Sequence, residues 1–108
     1  MATSKEFVNY FWGQFSETEN VSVRPMMGEY LLYFKGKLIG DICDNTVFLK
    51  PAECIKMFLP VAEFRPPYKG ARDMAVFENF EDRELAINLF NSLFSELPDK
   101  PKKKGKNK

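Results

Sequence analysis

The chain has 108 residues, 44% of them hydrophobic and 15% aromatic, which suffices for one core and is too short for two. Two cysteines and no histidine exclude a Cys/His zinc site and a disulfide-rich secreted scaffold. The net charge of +1 divides into −5 over residues 1–99 and +6 over residues 100–108. There is no basic-then-apolar leader, and no apolar run approaches the roughly 20 residues that span a bilayer, so we expect a cytoplasmic protein without membrane contact.

The first predicted element is a helix over residues 4–18. Thr3 and Glu6 have the spacing of a capping box, and apolar side chains then recur at helical intervals. The apolar arc is wide, so the helix either lies deep against a sheet or keeps part of this face for a second subunit. Packing is the favoured use of Trp12.

Residues 21–50 predict an antiparallel meander of about four strands. Val21–Met26 leads in, and apolar, β-branched and aromatic segments follow it. Lys35-Gly36 and Asp44-Asn45 separate these segments, and glycine, asparagine and aspartate tolerate the positive φ of tight hairpin turns. Two hairpins are therefore predicted.

A short helix follows the meander. Pro51 suits its first turn, because the missing N–H has no partner there in any case, and Pro60 ends it. Residues 60–73 are rich in proline and basic residues, which predicts an irregular loop of mildly basic character.

A strand over residues 74–77 and a last helix complete the predicted elements. Asn79 can cap the helix, which begins at about Glu81, and Pro98 stops it. Its leucine and phenylalanine residues form one apolar stripe at helical spacing. The element order is then helix, four strands, helix, strand, helix.

No catalytic constellation is recognisable. Without histidine, acid–base work would fall to Asp, Glu, Cys, Lys or Tyr, and no carboxylate pair, nucleophile elbow or phosphate-binding loop is present. We therefore predict a protein that is not an enzyme and binds no metal or cofactor. Cys43 and Cys54 are interpreted as buried small hydrophobic residues. Met26 and Met27 could form an adaptable contact patch, but the favoured interpretation is that they pack in the core.

A pocket for a small anion is an alternative function. Tyrosine and arginine side chains could line it, although edge packing and solvated charge are the commoner uses of these residue types on a sheet. The five candidate residues are Arg24, Tyr30, Tyr33, Tyr68 and Arg72.

Residues 99–108 form a lysine-rich tail, which we predict to be disordered, following a single domain over residues 1–98. The tail is interpreted as a solvated extension or as a partner of the acidic body, and alternatively as a weak nucleic-acid binder. Residues 1–99 are acidic overall and lack the basic surface that binds DNA phosphates, so nucleic acid would be bound through the tail only. The tail lysines are Lys100, Lys102, Lys103, Lys104, Lys106 and Lys108.

Residues 24–36 read Arg-Pro-Met-Met-Gly-Glu-Tyr-Leu-Leu-Tyr-Phe-Lys-Gly. This stretch resembles the signature of the N-terminal domain of the TfoX/Sxy family, Arg-x-Met-Phe-Gly-Gly-Tyr-Gly-Leu-Tyr followed by a hairpin glycine. Residues 47–50, Phe64, Tyr68 and Met74 agree with further family motifs. Met27, Glu29 and Leu31 replace signature residues.

The resemblance implies an α+β fold: a two-layer α/β sandwich with helices packed on a curved antiparallel sheet, similar to secretion-chaperone-like folds. It also implies a regulatory or protein-interaction module of the kind found in competence and transcription regulators. We expect another protein as the partner, or a second copy in a homodimer. The predicted contact residues are Arg24, Met26, Met27, Gly28, Glu29 and Tyr30.

Overall fold

Residues 3–15 and 20–98 are the part of the chain that the computed structural model describes, and their helices and strands follow roughly the predicted order, with one additional short strand. The fold is α+β, which confirms the predicted class. The elements are α1 (Lys5–Gly13), β1 (Val21–Met26), β2 (Glu29–Phe34), β3 (Lys37–Cys43), β4 (Thr46–Leu49), α2 (Glu53–Phe58), β5 (Phe64–Arg65), β6 (Met74–Val76) and α3 (Arg83–Glu96).

The strands form one antiparallel sheet in the order β1-β2-β3-β4-β6-β5. Three two-residue turns join the first four strands, and the central residues of each have positive φ. Lys35-Gly36 and Asp44-Asn45 are the two predicted turns, and Met27-Gly28 is a third of the same kind. Turns of this hand match the right-handed twist of paired strands, which is why they suit such short hairpins.

The helices cover one face of the sheet. Side chains from all three helices share a core with alternate residues of the central strands, such as Val47 and Leu49. Phe48 points the other way and belongs to a smaller cluster with Cys43, Met74 and Val76. This alternation is the period-2 pattern of a strand that is buried on both faces.

The N-caps of two helices are residues near the predicted ones. Ser4, and not Thr3, caps α1: its Oγ accepts the N–H of Phe7 at 3.1 Å. Asp82, and not Asn79, caps α3 by accepting the N–H of Leu85 at 3.2 Å. Both sites offer several residues able to cap, and tertiary contacts decide between them.

Helix α1 is shorter than the predicted 4–18, because it ends at Gly13. Glycine is a weak helix former, and the chain turns there so that Phe15 enters the core. The rings of Phe15 and Phe90 lie 5.6 Å apart. Residues 16–18 of the predicted helix lie outside the described residues.

Two further boundaries differ from the prediction. Pro51 precedes α2 and lies outside its first turn, since Ala52 is the N-cap. The segment 60–73 is not wholly irregular, because Phe64 and Arg65 form β5 by pairing with Ala75 and Met74. No helix within residues 3–15 and 20–98 is long and apolar enough to cross a membrane.

Helix α2 receives its N-terminal cap from another helix. Ala52 has no side chain that can accept a hydrogen bond, and the Glu96 carboxylate accepts the N–H groups of Glu53 at 2.5 Å and Cys54 at 2.9 Å. These hydrogen bonds hold the pKa of Glu96 below its usual range. The last turn of α3 thereby fixes the first turn of α2.

We expect Glu96→Gln to lower stability at neutral pH and to change its pH dependence. Because the pKa of Glu96 is lower in the folded state, its stabilisation is present above the unfolded pKa of about 4.3 and is lost as the pH falls through the folded value. Urea unfolding at pH 7 and pH 3 should show a difference from the native chain that shrinks on acidification. Glu81→Gln is the matched control, and an equal effect of both variants at pH 7 would contradict the capping role.

Candidate interaction surface

Residues 24–30, here the 24–30 segment, span the end of β1, the first hairpin turn and the start of β2. Met27 occupies the first turn position with φ 53° and is 95% exposed, and Met26 is 44% exposed. The favoured prediction that these methionines pack in the core is therefore wrong. The strand ends at Met26, as predicted, and this end places the Met27 side chain at the tip of a turn.

The strand alternation divides the segment between the two faces of the sheet. Arg24 pairs with Leu31, so its side chain lies on the face opposite the helices, and its guanidinium is 5.5 Å from the ring centroid of Tyr33. Tyr30 has the other parity and packs against the core under the helices. The exposed part of the segment is residues 24–28, in which Arg24, Met26 and Met27 carry the long side chains.

Glu29 has a structural role in the segment. Its Oε1 accepts the hydroxyl of Thr3 at 2.6 Å, the N–H of Thr3 at 3.1 Å and the N–H of Asp44 at 3.2 Å. Thr3 itself is 7% exposed, and its N–H also donates to the carbonyl of Gly28 at 3.2 Å. The start of the chain is thus tied to two neighbouring hairpin turns beside Met27.

Asp41 lies on the same face as Arg24, in one cross-strand row with Leu31 and Phe48. Burial among these neighbours raises the pKa of the Asp41 carboxyl, and the charge of Lys50 opposes that rise. The ionised carboxylate is therefore poorly accommodated at neutral pH.

Asp41→Asn should consequently raise the free energy of unfolding at pH 7. A folded pKa above the unfolded value of about 3.9 means that ionisation of Asp41 destabilises the fold as the pH rises through the folded pKa. The advantage of the variant should vanish at acidic pH, where both side chains are neutral. Thermal unfolding at pH 7 and pH 3 measures this difference, and a variant less stable at pH 7 would show that the carboxylate is well paired.

The five residues of the predicted anion pocket do not all come together, and only Arg24 and Tyr33 are shown in contact. Arg24 lies in β1 at one edge of the sheet, whereas Tyr68 and Arg72 lie in the loop between β5 and β6 at the other edge. Four strand spacings of about 4.8 Å separate β1 from β6 along the sheet. The side chain of Tyr30 lies on the opposite face from Arg24. We therefore do not retain the anion pocket.

Two cavities occur elsewhere in the described part of the chain. One, of about 440 Å³, lies at the junction of α2 and α3 beside Cys54 and Glu96. The other, of about 370 Å³, is a groove between the end of α2 and the end of β6, which was not predicted. The groove is lined by Phe58, Leu59, Pro60, Val61, Ala62, Glu63, Val76, Glu78 and Asn79.

Both cysteines are buried, as predicted. Burial, reinforced by nearby carboxylates, raises the pKa of Cys43 to about 12 and that of Cys54 to about 11. Such thiols are poor nucleophiles at neutral pH. Among residues 3–15 and 20–98, no three His, Cys, Asp or Glu side chains are grouped so that they could hold a metal ion.

Two other regions bear on the predicted interactions, helix α1 and the lysine tail. On α1, Tyr10 is 51% and Trp12 39% exposed, so packing accounts for only part of the Trp12 surface. The lysine tail, residues 99–108, lies outside the described residues, as do its six lysines.

Comparison with known proteins identifies a relative whose sequence aligns with the whole of this chain. No known-family model matches the chain, and no solved structure matches it. A protein of Spirochaeta aurantia named "uncharacterized 12.7 kDa protein in trpE 5'region" is 32% identical over 109 residues, covering 100% of this chain and 95% of that protein. The chain belongs to the same family as this Spirochaeta aurantia protein.

Proposed function

We propose that the chain is a non-catalytic protein-interaction module, of the regulatory kind implied by its resemblance to the TfoX/Sxy N-terminal domain. It binds its partner protein through the exposed part of the 24–30 segment. The partner surface that fits is an apolar patch bordered by a carboxylate, because the segment offers two thioether side chains and one guanidinium. The observation that carries this proposal is the position of Met27.

The left-handed backbone conformation normally selects Gly, Asn or Asp, since it costs other residues about 1 kcal/mol or more. The described chain has four non-glycine residues with positive φ, and the other three are Lys35, Asp44 and Asn45. Met27 alone among them is apolar, and its 95% exposure means that it gains almost no packing in return. A contact with a partner explains a residue that the fold itself does not need.

The test uses Met27→Asn, which removes the apolar side chain while keeping a residue that tolerates positive φ. We expect this variant to fold with equal or higher stability and to lose a partner that the native chain captures from cell lysate. Met57→Asn is the matched control, because Met57 is 80% exposed on α2. Retention of the partner by Met27→Asn would contradict the proposal.

A nuclease-treated lysate separates this proposal from nucleic-acid binding through the lysine tail. Material that the intact chain captures only without nuclease, regardless of Met27, would favour the tail as the functional element. The split between a charge of −5 over residues 1–99 and a charge of +6 over residues 100–108 supports this second candidate.

Homodimer formation through α1 is a further part of the proposal. The exposed rings of Tyr10 and Trp12 support it, since large aromatic side chains are enriched at interfaces. Light scattering at micromolar concentration should give twice the chain mass, and a monomer mass would contradict the dimer.

A further inference from the structure

The groove between the end of α2 and the end of β6 combines an apolar surface with negative charge. Phe58 and Leu59 are half-buried along it, and Val61 is 94% exposed at its side. Two carboxylates, Glu63 and Glu78, are part of the same lining. A long aliphatic side chain that ends in a cation matches this combination, because its stem can cover apolar surface while its charge meets a carboxylate.

The acidic character extends beyond the groove. Glu78 begins a run that continues with Glu81, Asp82 and Glu84, all exposed, at the entrance to α3. Arg65 partly neutralises the other groove carboxylate, because its Nε lies 3.4 Å from Glu63 Oε2. Residues 78–84, which also include Arg83, carry a net charge of −3 and so add negative potential beside the groove.

We propose that this groove is the docking site for the lysine-rich residues 99–108 of the same chain, with lysine stems on Leu59 and Val61 and ammonium groups at Glu78 and Glu63. Six lysines lie in this segment, whereas residues 1–99 carry a net charge of −5. The docking pairs opposite charges in a groove whose apolar surface matches the lysine stem and whose carboxylates match the ammonium group.

The segment is long enough to reach the groove. Helix α3 has 14 residues and is therefore about 21 Å long, and its start at Arg83 follows the groove residue Asn79 by four positions. Ten extended residues span at most about 33 Å. The departure point is held in place, because Lys37 Nζ donates to the carbonyls of Phe94 at 2.6 Å and Leu97 at 2.9 Å.

Each contact of the docked tail is weak, and the covalent connection of the tail to α3 favours docking. Each exposed ion pair contributes about 0–1 kcal/mol, and the covalent link to α3 supplies a high effective concentration. The interaction is therefore reversible and sensitive to salt, so a polyanion can compete with the groove for the same lysines. The body of the protein then controls when the tail is available.

The test attaches a nitroxide spin label to the full chain at Asn107→Cys and records amide relaxation by NMR. The native thiols are buried with raised pKa values, so the label reacts at the new cysteine. At about 0.01 M salt, where the Debye length is about 30 Å, the amides of Leu59, Val61 and Glu78 should be the most strongly broadened. At about 1 M salt, where this length is about 3 Å, the broadening should fall several-fold.

The variant that removes the docking charges is Glu63→Gln with Glu78→Gln, and it should reduce the broadening at the groove at least twofold. Glu53→Gln with Asp73→Asn removes the same charge from exposed positions elsewhere and should leave the groove broadened. Equal effects of the two double variants, or broadening spread evenly over the surface, would overturn the proposal. A mixture of labelled unenriched chain with unlabelled ¹⁵N chain should show no broadening at the groove, and broadening there would assign the occupant to a second copy and overturn docking within one chain.

Discussion

Gly40→Ala is expected to abolish the folded state. A Cβ atom at this position would lie 2.0 Å from the Phe48 carbonyl oxygen and 3.1 Å from its carbonyl carbon, in the backbone of the paired strand β4. Backbone atoms of a central strand cannot move aside as a flexible side chain can. Gly40 also adjoins the register shift between β2 and β3, where Leu32 pairs with Gly40 and Tyr33 with Leu38. We expect a loss above about 4 kcal/mol, which is comparable with the lower end of the 5–15 kcal/mol that stabilises a typical domain.

Circular dichroism with urea unfolding measures this effect. Gly13→Ala is the matched control, because a Cβ added there meets no atom within 4 Å and alanine favours the helix by up to about 1 kcal/mol. The control should therefore be as stable as the native chain or more stable. A Gly40→Ala chain with an unchanged unfolding midpoint would show that β3 and β4 can separate to admit a methyl group.

Phe90→Ala is expected to have the next largest effect, a loss of about 3–5 kcal/mol. Phe90 is fully buried on α3, and its ring centroid lies 5.6 Å from Phe15, 5.7 Å from Phe34 and 6.0 Å from Phe77. Truncation removes these edge and tilted ring contacts and leaves a cavity between the sheet and two connecting segments. The ring therefore joins α3, the sheet and the chain that follows α1.

Urea unfolding of Phe90→Ala should be compared with that of Phe64→Ala, whose ring is 43% exposed at the edge strand β5. The second substitution removes a similar ring from a site that is largely solvated, so its effect should be much smaller. Similar losses for the two variants would contradict the assignment of Phe90 to the centre of the core.

Local chemistry explains why the turns and strands could be predicted. Lys35-Gly36 and Asp44-Asn45 are suited to positive φ, and both hairpins form at those positions. β1 likewise has its predicted bounds, Val21–Met26. Met27-Gly28 was harder to recognise as a turn, because methionine gives no turn signal of its own.

Tertiary contacts explain what the sequence did not show. Thr3 has the spacing of a helix cap, but Glu29, 26 residues away, holds its hydroxyl. Among the predicted contact residues, Tyr30 packs against the core under the helices, because the strand parity places it on the face opposite Arg24. The groove beside Glu78 combines residues from two distant segments, so no local pattern marks it.

The cap that Glu96 gives to α2 also orders events in the folding of the chain. Six residues are too few for a helix to be stable alone, and the carboxylate that completes α2 lies 43 residues beyond Glu53. During synthesis, α2 therefore leaves the ribosome before the residue that stabilises it exists. We expect the segment to acquire its helical form when α3 docks, so that the last turn of α3 completes an element from the middle of the described chain.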